Sequence, residues 1–273
     1  MSEVASPSPR ARTRSTWLGL VLALGLSTAA SRAAAQSCHT VSSLRPTSGL
    51  TYRVALTGIF ASFKDAATSG EYQGLLLSGT LTHPWFSAEL SLPAYRIAKT
   101  GSHDYDVGNP GVAVRGHLYR ADDDSLIAGP ELAATFPGGS NEDVAMQHVM
   151  LMPGGFLLWQ QGDFTLLAQL AYGRALAGQH AHHAGPMPLV NPMNRSELTH
   201  AIGASARLHA NLRVTGRLLG AVTLFDHAGS AREIVAPGLQ LVMGALDASL
   251  ELQLPVVGKP FSSRTLLSVG AQW

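Results

Sequence analysis

The strongest constraint in this chain is a two-residue alternation of apolar and polar side chains, held over about ten residues at a time and repeated along most of its length. In "DASLELQLPV", Ala248, Leu250, Leu252, Leu254 and Val256 share one parity, while Asp247, Ser249, Glu251 and Gln253 share the other. Successive side chains of a strand point to opposite faces, so this segment has one oily face and one wet face. "WFSAELSLPAYR" sets Phe86, Ala88, Leu90, Leu92 and Ala94 against Ser87, Glu89, Ser91 and Tyr95. "NPGVAVRGHLY" and "LRVTGRLLGAVTLF" behave alike, and "LTHAIGASARLHA" does so with one exception, His200 on the oily parity.

One-sided alternation fits a soluble sandwich as well as a membrane barrel, and the connections discriminate between them. Strands are expected at about 50–63, 71–82, 85–98, 106–120, 125–136, 144–160, 163–176, 197–210, 211–226, 232–245, 247–257 and 263–273. Tight connections ("HP", "ADDDS", "QQGD", "HAN", "GALD") alternate with longer ones ("KDAATSG", "KTGSHDY", "PGGSNED", the stretch from Gly178 to "NRSE", "DHAGSARE", "VGKPFSS"). An outer-membrane barrel sorts its loops this way, with short periplasmic turns and long external loops, and has an even strand number. The expected fold is therefore all-β, a single closed antiparallel transmembrane β-barrel of about 12 strands. In hydrocarbon every backbone N–H and C=O needs an internal partner, which a sheet without edges supplies. The oily parity would face lipid and the polar parity the lumen.

Residues 1–35 look like an export signal. Arg10, Arg12 and Arg14 precede the apolar run Trp17 to Leu26, and Ala33 and Ala35 offer the small side chains of a cleavage site. The run is about half of the ~20 residues needed to span a bilayer as a helix. Cleavage after Ala35 is expected, with 36–49 a short periplasmic segment and 50–273 the barrel. Cys38 opens the alternative of a lipoprotein signal, but the box before it lacks the expected apolar residue and contains Gln36. Cleavage removes Arg10, Arg12, Arg14, Arg32 and Glu3, taking the formal charge from +1 to −2, so nothing points to a nucleic-acid partner. Cys38 is the only cysteine, which excludes an internal disulfide.

The chain closes on "RTLLSVGAQW", an amphipathic strand with a terminal aromatic, which resembles the assembly signal of Gram-negative outer-membrane barrels. "SAELSLPAYRI" followed by "DVGNPGVAVRGHLYR" further resembles a family of small barrels, the transporters of the phenol-degradation MetA pathway type. That resemblance spans most of residues 50–273 and implies passage of a small solute, apolar ones included, across the outer membrane. It carries no agreed catalytic residues. Outer-membrane lipid and the barrel-assembly machinery are the implied partners.

The lumen-facing set is expected to hold Arg53, Arg115, Arg207, Arg213, Arg217 and Arg264 against Glu89, Glu131 and Glu251. Two readings stand: the charges pair and fill a narrow interior, or surplus arginine lines an aqueous path. "GQHAHHAGPMPLVNPMNRS" would be the longest external loop, and His180, His182, His183 and Met187 are its candidate metal ligands. Neutral imidazoles suit Zn(II), Cu(II) or Ni(II), and thioethers add softness suited to Cu(I). Against this, the tract's glycines and prolines equally mark a solvated loop, and no cofactor is otherwise called for. No HExxH is present and no nucleophile–base pair occurs in a recognisable motif, so the chain is not read as an enzyme. The function expected is a passive or weakly selective conduit for a small solute; the alternative is a closed binding barrel whose histidine-rich loop captures a metal ion or a partner.

Overall fold

The computed structural model describes residues 49–64, 69–99, 101–178, 193–224 and 231–273. The export signal, most of the segment after it and the tract bearing His180, His182, His183 and Met187 lie outside the described residues. The first seven strands are β1 (Thr51–Lys64), β2 (Ser69–His83), β3 (Phe86–Lys99), β4 (Ser102–Val107), β5 (Gly111–Gly116), β6 (Tyr119–Arg120) and β7 (Leu126–Thr135). The rest are β8 (His148–Gln161), β9 (Phe164–Gly178), β10 (Ser196–His209), β11 (Leu212–Thr223), β12 (Arg232–Met243), β13 (Leu246–Val257) and β14 (Ser263–Gln272).

These segments form one closed ring of antiparallel neighbours. β4 and β5 both pair with β3, and β5 and β6 both pair with β7, so the three are pieces of one wall strand and the ring has twelve. β1 pairs with β14, and Tyr52 and Trp273 exchange both main-chain hydrogen bonds (2.9 and 3.0 Å) at that seam. No sheet edge is left for the bilayer, as a spanning sheet requires.

The parity of β13 shows the solvent on each side: Leu250, Leu252, Leu254 and Val256 are exposed on the outer face, while Asp247, Glu251 and Gln253 turn inward. Val54, Leu56, Leu75, Leu77, Leu90, Leu92, Val112, Val114, Leu239, Leu241, Leu267 and Val269 continue this exposed apolar belt around the ring. A belt of that extent on a monomer would be a severe liability in water and is what lipid covers. At one rim it is bounded by aromatic residues: Tyr52 stacks on Trp273 (6.4 Å), Trp159 meets Phe164 edge-on (5.8 Å), and Trp85 and Tyr119 are exposed nearby. This is the rim of tight turns, where Asp124, Gly162 and Gly244 take positive φ.

Three expectations need correction. The connection from β3 to β4 is not long, because Lys99 pairs directly with Ser102 and Gly101 adopts φ 84° beside them. "KTGSHDY" thus contains a tight turn at the otherwise long-loop rim, and loop length does not alternate perfectly. The wall strand expected at 106–120 starts earlier and is broken at Gly108–Pro110, while the strand expected from 144 begins at His148. Residues 136–147 instead form a strap. Phe136 N–H bonds to Pro110 O (2.9 Å) and Gly139 N–H to Val107 O (2.7 Å), after which the chain turns into the mouth of the barrel.

Candidate functional site: the lumen

Starting at the tight-turn rim, the interior begins with charge. Arg53 of β1 donates through Nε and Nη2 to both carboxylate oxygens of Asp247 on β13 (3.1 and 2.8 Å), passing over Gly270 of the intervening β14. On the same side Arg217 of β11 makes a two-point contact with Glu251 of β13 (2.7 and 2.5 Å), passing over β12. Glu251 also accepts from Gln253 Nε2 (2.6 Å), and Gln253 Oε1 accepts from Arg264 Nε (2.7 Å). Arg264 then lies 4.4 Å over the ring of Phe261 and reaches the hydroxyl of Tyr72 (3.4 Å).

On the opposite wall Arg115 is completely shielded from solvent. Its Nε donates to Glu131 (2.6 Å), its Nη1 lies 3.6 Å from Glu89, and Gln169 adds a bond to Glu131 (2.8 Å). Arg207 sits at the tight-turn rim, exposed, 3.3 Å from Asp163, and it is the register partner of Arg213. Arg53, Arg115, Arg217 and Arg264 thus sit in bidentate or networked groups, the arrangement that offsets desolvation in a confined space.

The other half of the interior departs from the expectation that the inward parity is polar. Ile59, Phe63, Tyr72, Ile97, Leu219, Ala221, Ile234, Phe261 and Leu266 all turn inward and pack as one cluster, with Val144 of the strap among them. Alternation reports two faces; it does not say that the inner one is wet along its full height. Inward side chains of β1, β2, β3, β11, β12 and β14 meet one another and the strap here, so apolar residues pack as in any core. The strap is tied by Asn109, whose Nδ2 donates to Phe136 O (2.7 Å) and Met146 O (2.8 Å) while its Oδ1 accepts from Met146 N–H (2.8 Å). Lys99 adds an ion pair to Asp143.

Between the charged half and the apolar half lies a cavity of about 120 Å³. Ile59, Leu76, Pro93, Ala113, Met152 and Leu266 line it on the apolar side, and Glu89, Glu131, Asn109, Thr199 and Arg264 supply polar atoms. Sequence reasoning named the charges; it did not find Asn109, Met152 or the strap, whose "PGGSNED" reads only as a loop.

The histidines scatter. His103 is exposed beside Arg96 (3.2 Å), His148 turns inward and is buried, and His200 lies on the outer parity 3.7 Å from Glu233. Among the described residues no group of three or more His, Cys, Asp or Glu side chains could hold a metal ion.

No protein-family model and no curated protein matches the sequence. Among solved structures, the COG4313 outer membrane channel from Pseudomonas putida F1 superimposes with a TM-score of 0.62 at 11% identity, over 87% of this chain and 100% of that one. The translocator domain of autotransporter NalP from Neisseria meningitidis aligns with a TM-score of 0.49 at 11% identity, over 83% of this chain and 88% of that one. The chain has the fold of a bacterial outer-membrane β-barrel: a closed ring of twelve antiparallel strands.

Proposed function

We propose that this barrel is a passive, weakly selective conduit carrying a small, mainly apolar solute across the outer membrane. The observation that carries the reading is the lumen cavity, apolar on one side and bearing Glu89, Glu131 and Asn109 on the other. Its roughly 120 Å³ is close to that of an engineered apolar cavity of about 150 Å³ that admits benzene. A small ring with one hydrogen-bonding group matches this lining, in keeping with the motif resemblance to phenol-degradation MetA-type transporters. The tight-turn rim would face the periplasm and the strap the exterior. Solute would enter past the strap, pause in the cavity, and leave beside the paired charges without energy coupling.

Residues 1–35 would direct export and be removed, leaving residues 36–49 as a short periplasmic segment before the barrel (50–273), and the assembly machinery would insert it. Planar-bilayer recording together with uptake of phenol into proteoliposomes tests the conduit. Reproducible channel steps and faster phenol entry than into protein-free vesicles are expected. A correctly folded barrel that is electrically silent and passes no phenol would overturn the conduit and leave a closed binding barrel.

A further inference from the structure

The chain has seven methionines, and four of them meet at one place inside the barrel. Met146 comes from the strap, Met150 and Met152 from successive inward positions of β8, and Met193 from the residues leading into β10. All four are buried, and the small side chains Ala133, Ala171 and Ala175 pack against them from the wall. Of the other three, Met243 is exposed on the outer face, and Met1 and Met187 lie outside the described residues.

Gly173 of β9 lies directly under this convergence. A Cβ at that position would sit 3.3 Å from Met150 Cε, 3.3 Å from Met152 Cγ and 3.5 Å from Glu197 Cγ, so the bare backbone lets the thioethers close over it. Glu197 is charge-paired through one oxygen: its Oε2 accepts from Asn194 N–H (3.0 Å), Asn194 Nδ2 (3.1 Å) and Arg232 Nη2 (3.0 Å). The donors next to a guest are the four thioethers, with the buried Oε1 of Glu197, which accepts no hydrogen bond, as a carboxylate oxygen beside them. Met152 also lines the lumen cavity, which gives the cluster a route from the solute path.

We infer that Met146, Met150, Met152 and Met193 form a lumen site for a soft monovalent cation, Cu(I) or its surrogate Ag(I). Thioethers select soft ions, whereas Zn(II) favours a set of imidazole, thiolate and carboxylate ligands, and no group of three or more His, Cys, Asp or Glu that could hold a metal ion is found among the described residues. A monovalent ion also loses less hydration on entering a buried, thioether-rich donor set than a divalent one does. Met193 closes the stretch that carries the histidines, but the proposed ligands are the four methionines, and the inference rests neither on His180, His182 or His183 nor on the conduit.

The test is Cu(I) titration of the purified, detergent-folded barrel under anaerobic reducing conditions against a competing chelator, with X-ray absorption at the copper edge. One bound Cu(I) with a sulfur-dominated shell is expected. Met150→Leu with Met152→Leu should weaken binding by about 10- to 100-fold, the scale on which even outer-shell changes act on metal affinity. His180→Ala, His182→Ala and His183→Ala together should leave it unchanged. Met-to-Leu exchange conserves volume, and heat-modifiable gel migration reports folding. Should the double variant fail to fold, Met193→Leu alone is titrated and is expected to weaken binding in the same direction. Absence of Cu(I) uptake, a nitrogen-dominated shell, or binding lost only with the histidines would each overturn the site and show the methionines to be packing alone.

Discussion

Arg53 and Asp247 are bonded across a strand that belongs to neither of them. The guanidinium leaves β1, crosses β14 above Gly270 and grips both oxygens of the carboxylate on β13 (3.1 and 2.8 Å). A Cβ on Gly270 would lie 2.6 Å from Arg53 Nη2 and 2.8 Å from Asp247 Oδ1. Three strands at the closing seam are therefore locked by one ion pair that needs a missing side chain between its ends.

Gly270→Val should break this lock without touching either charge. Loss of about 1.5–3 kcal/mol is expected, the range for hydrogen bonds to charged groups. Urea unfolding of the barrel in phospholipid vesicles, followed by tryptophan fluorescence, measures it. An unchanged midpoint would show the pair to be incidental.

The wall cluster predicts ion selectivity. Glu131→Gln removes one negative charge beside the solvent-shielded Arg115 and keeps the side chain's shape. The reversal potential in a salt gradient should move toward anion preference. Arg115→Gln should move it the other way.

Asn109 pins the strap through three hydrogen bonds of 2.7–2.8 Å. Asn109→Ala should release residues 136–147 from the mouth and raise single-channel conductance relative to the parent. A conductance equal to the parent's would show that the strap does not limit flow.

The outer belt predicts a depth-dependent cost for charge. Leu252→Arg, on the exposed parity of β13, should destabilise the membrane-inserted barrel by about 2–4 kcal/mol if the position lies at mid-bilayer. The same vesicle unfolding assay measures it, and a loss near zero would place that position at the rim.

The ring was legible because lipid imposes a simple rule on sequence. On β13, Leu250, Leu252 and Leu254 could not share a parity with Asp247 and Glu251, and the structure separates them accordingly. The interior was legible only where it is charged. In "HVMLMPGGFLLWQQ" both parities of β8 are largely apolar, so period two cannot tell Met150 and Met152, which turn inward, from Leu151 and Leu157, which do not. The strap escaped for a different reason. Asn109 and Phe136 are 27 positions apart, and their bond exists only after the ring has brought Pro110 and Phe136 together. His200 was visible as the exception on the oily parity, but its neighbour Glu233 arrives from a strand two places away in the ring.

The paired main-chain bonds between Tyr52 and Trp273 also bear on how the molecule comes into being. Those residues stand at opposite extremities of the ribbon, so the hoop stays unsealed until both have met. Every shorter or incompletely docked species carries two raw borders with unpaired amides, a template for sticking to its own kind. Sealing this one seam removes both borders at once.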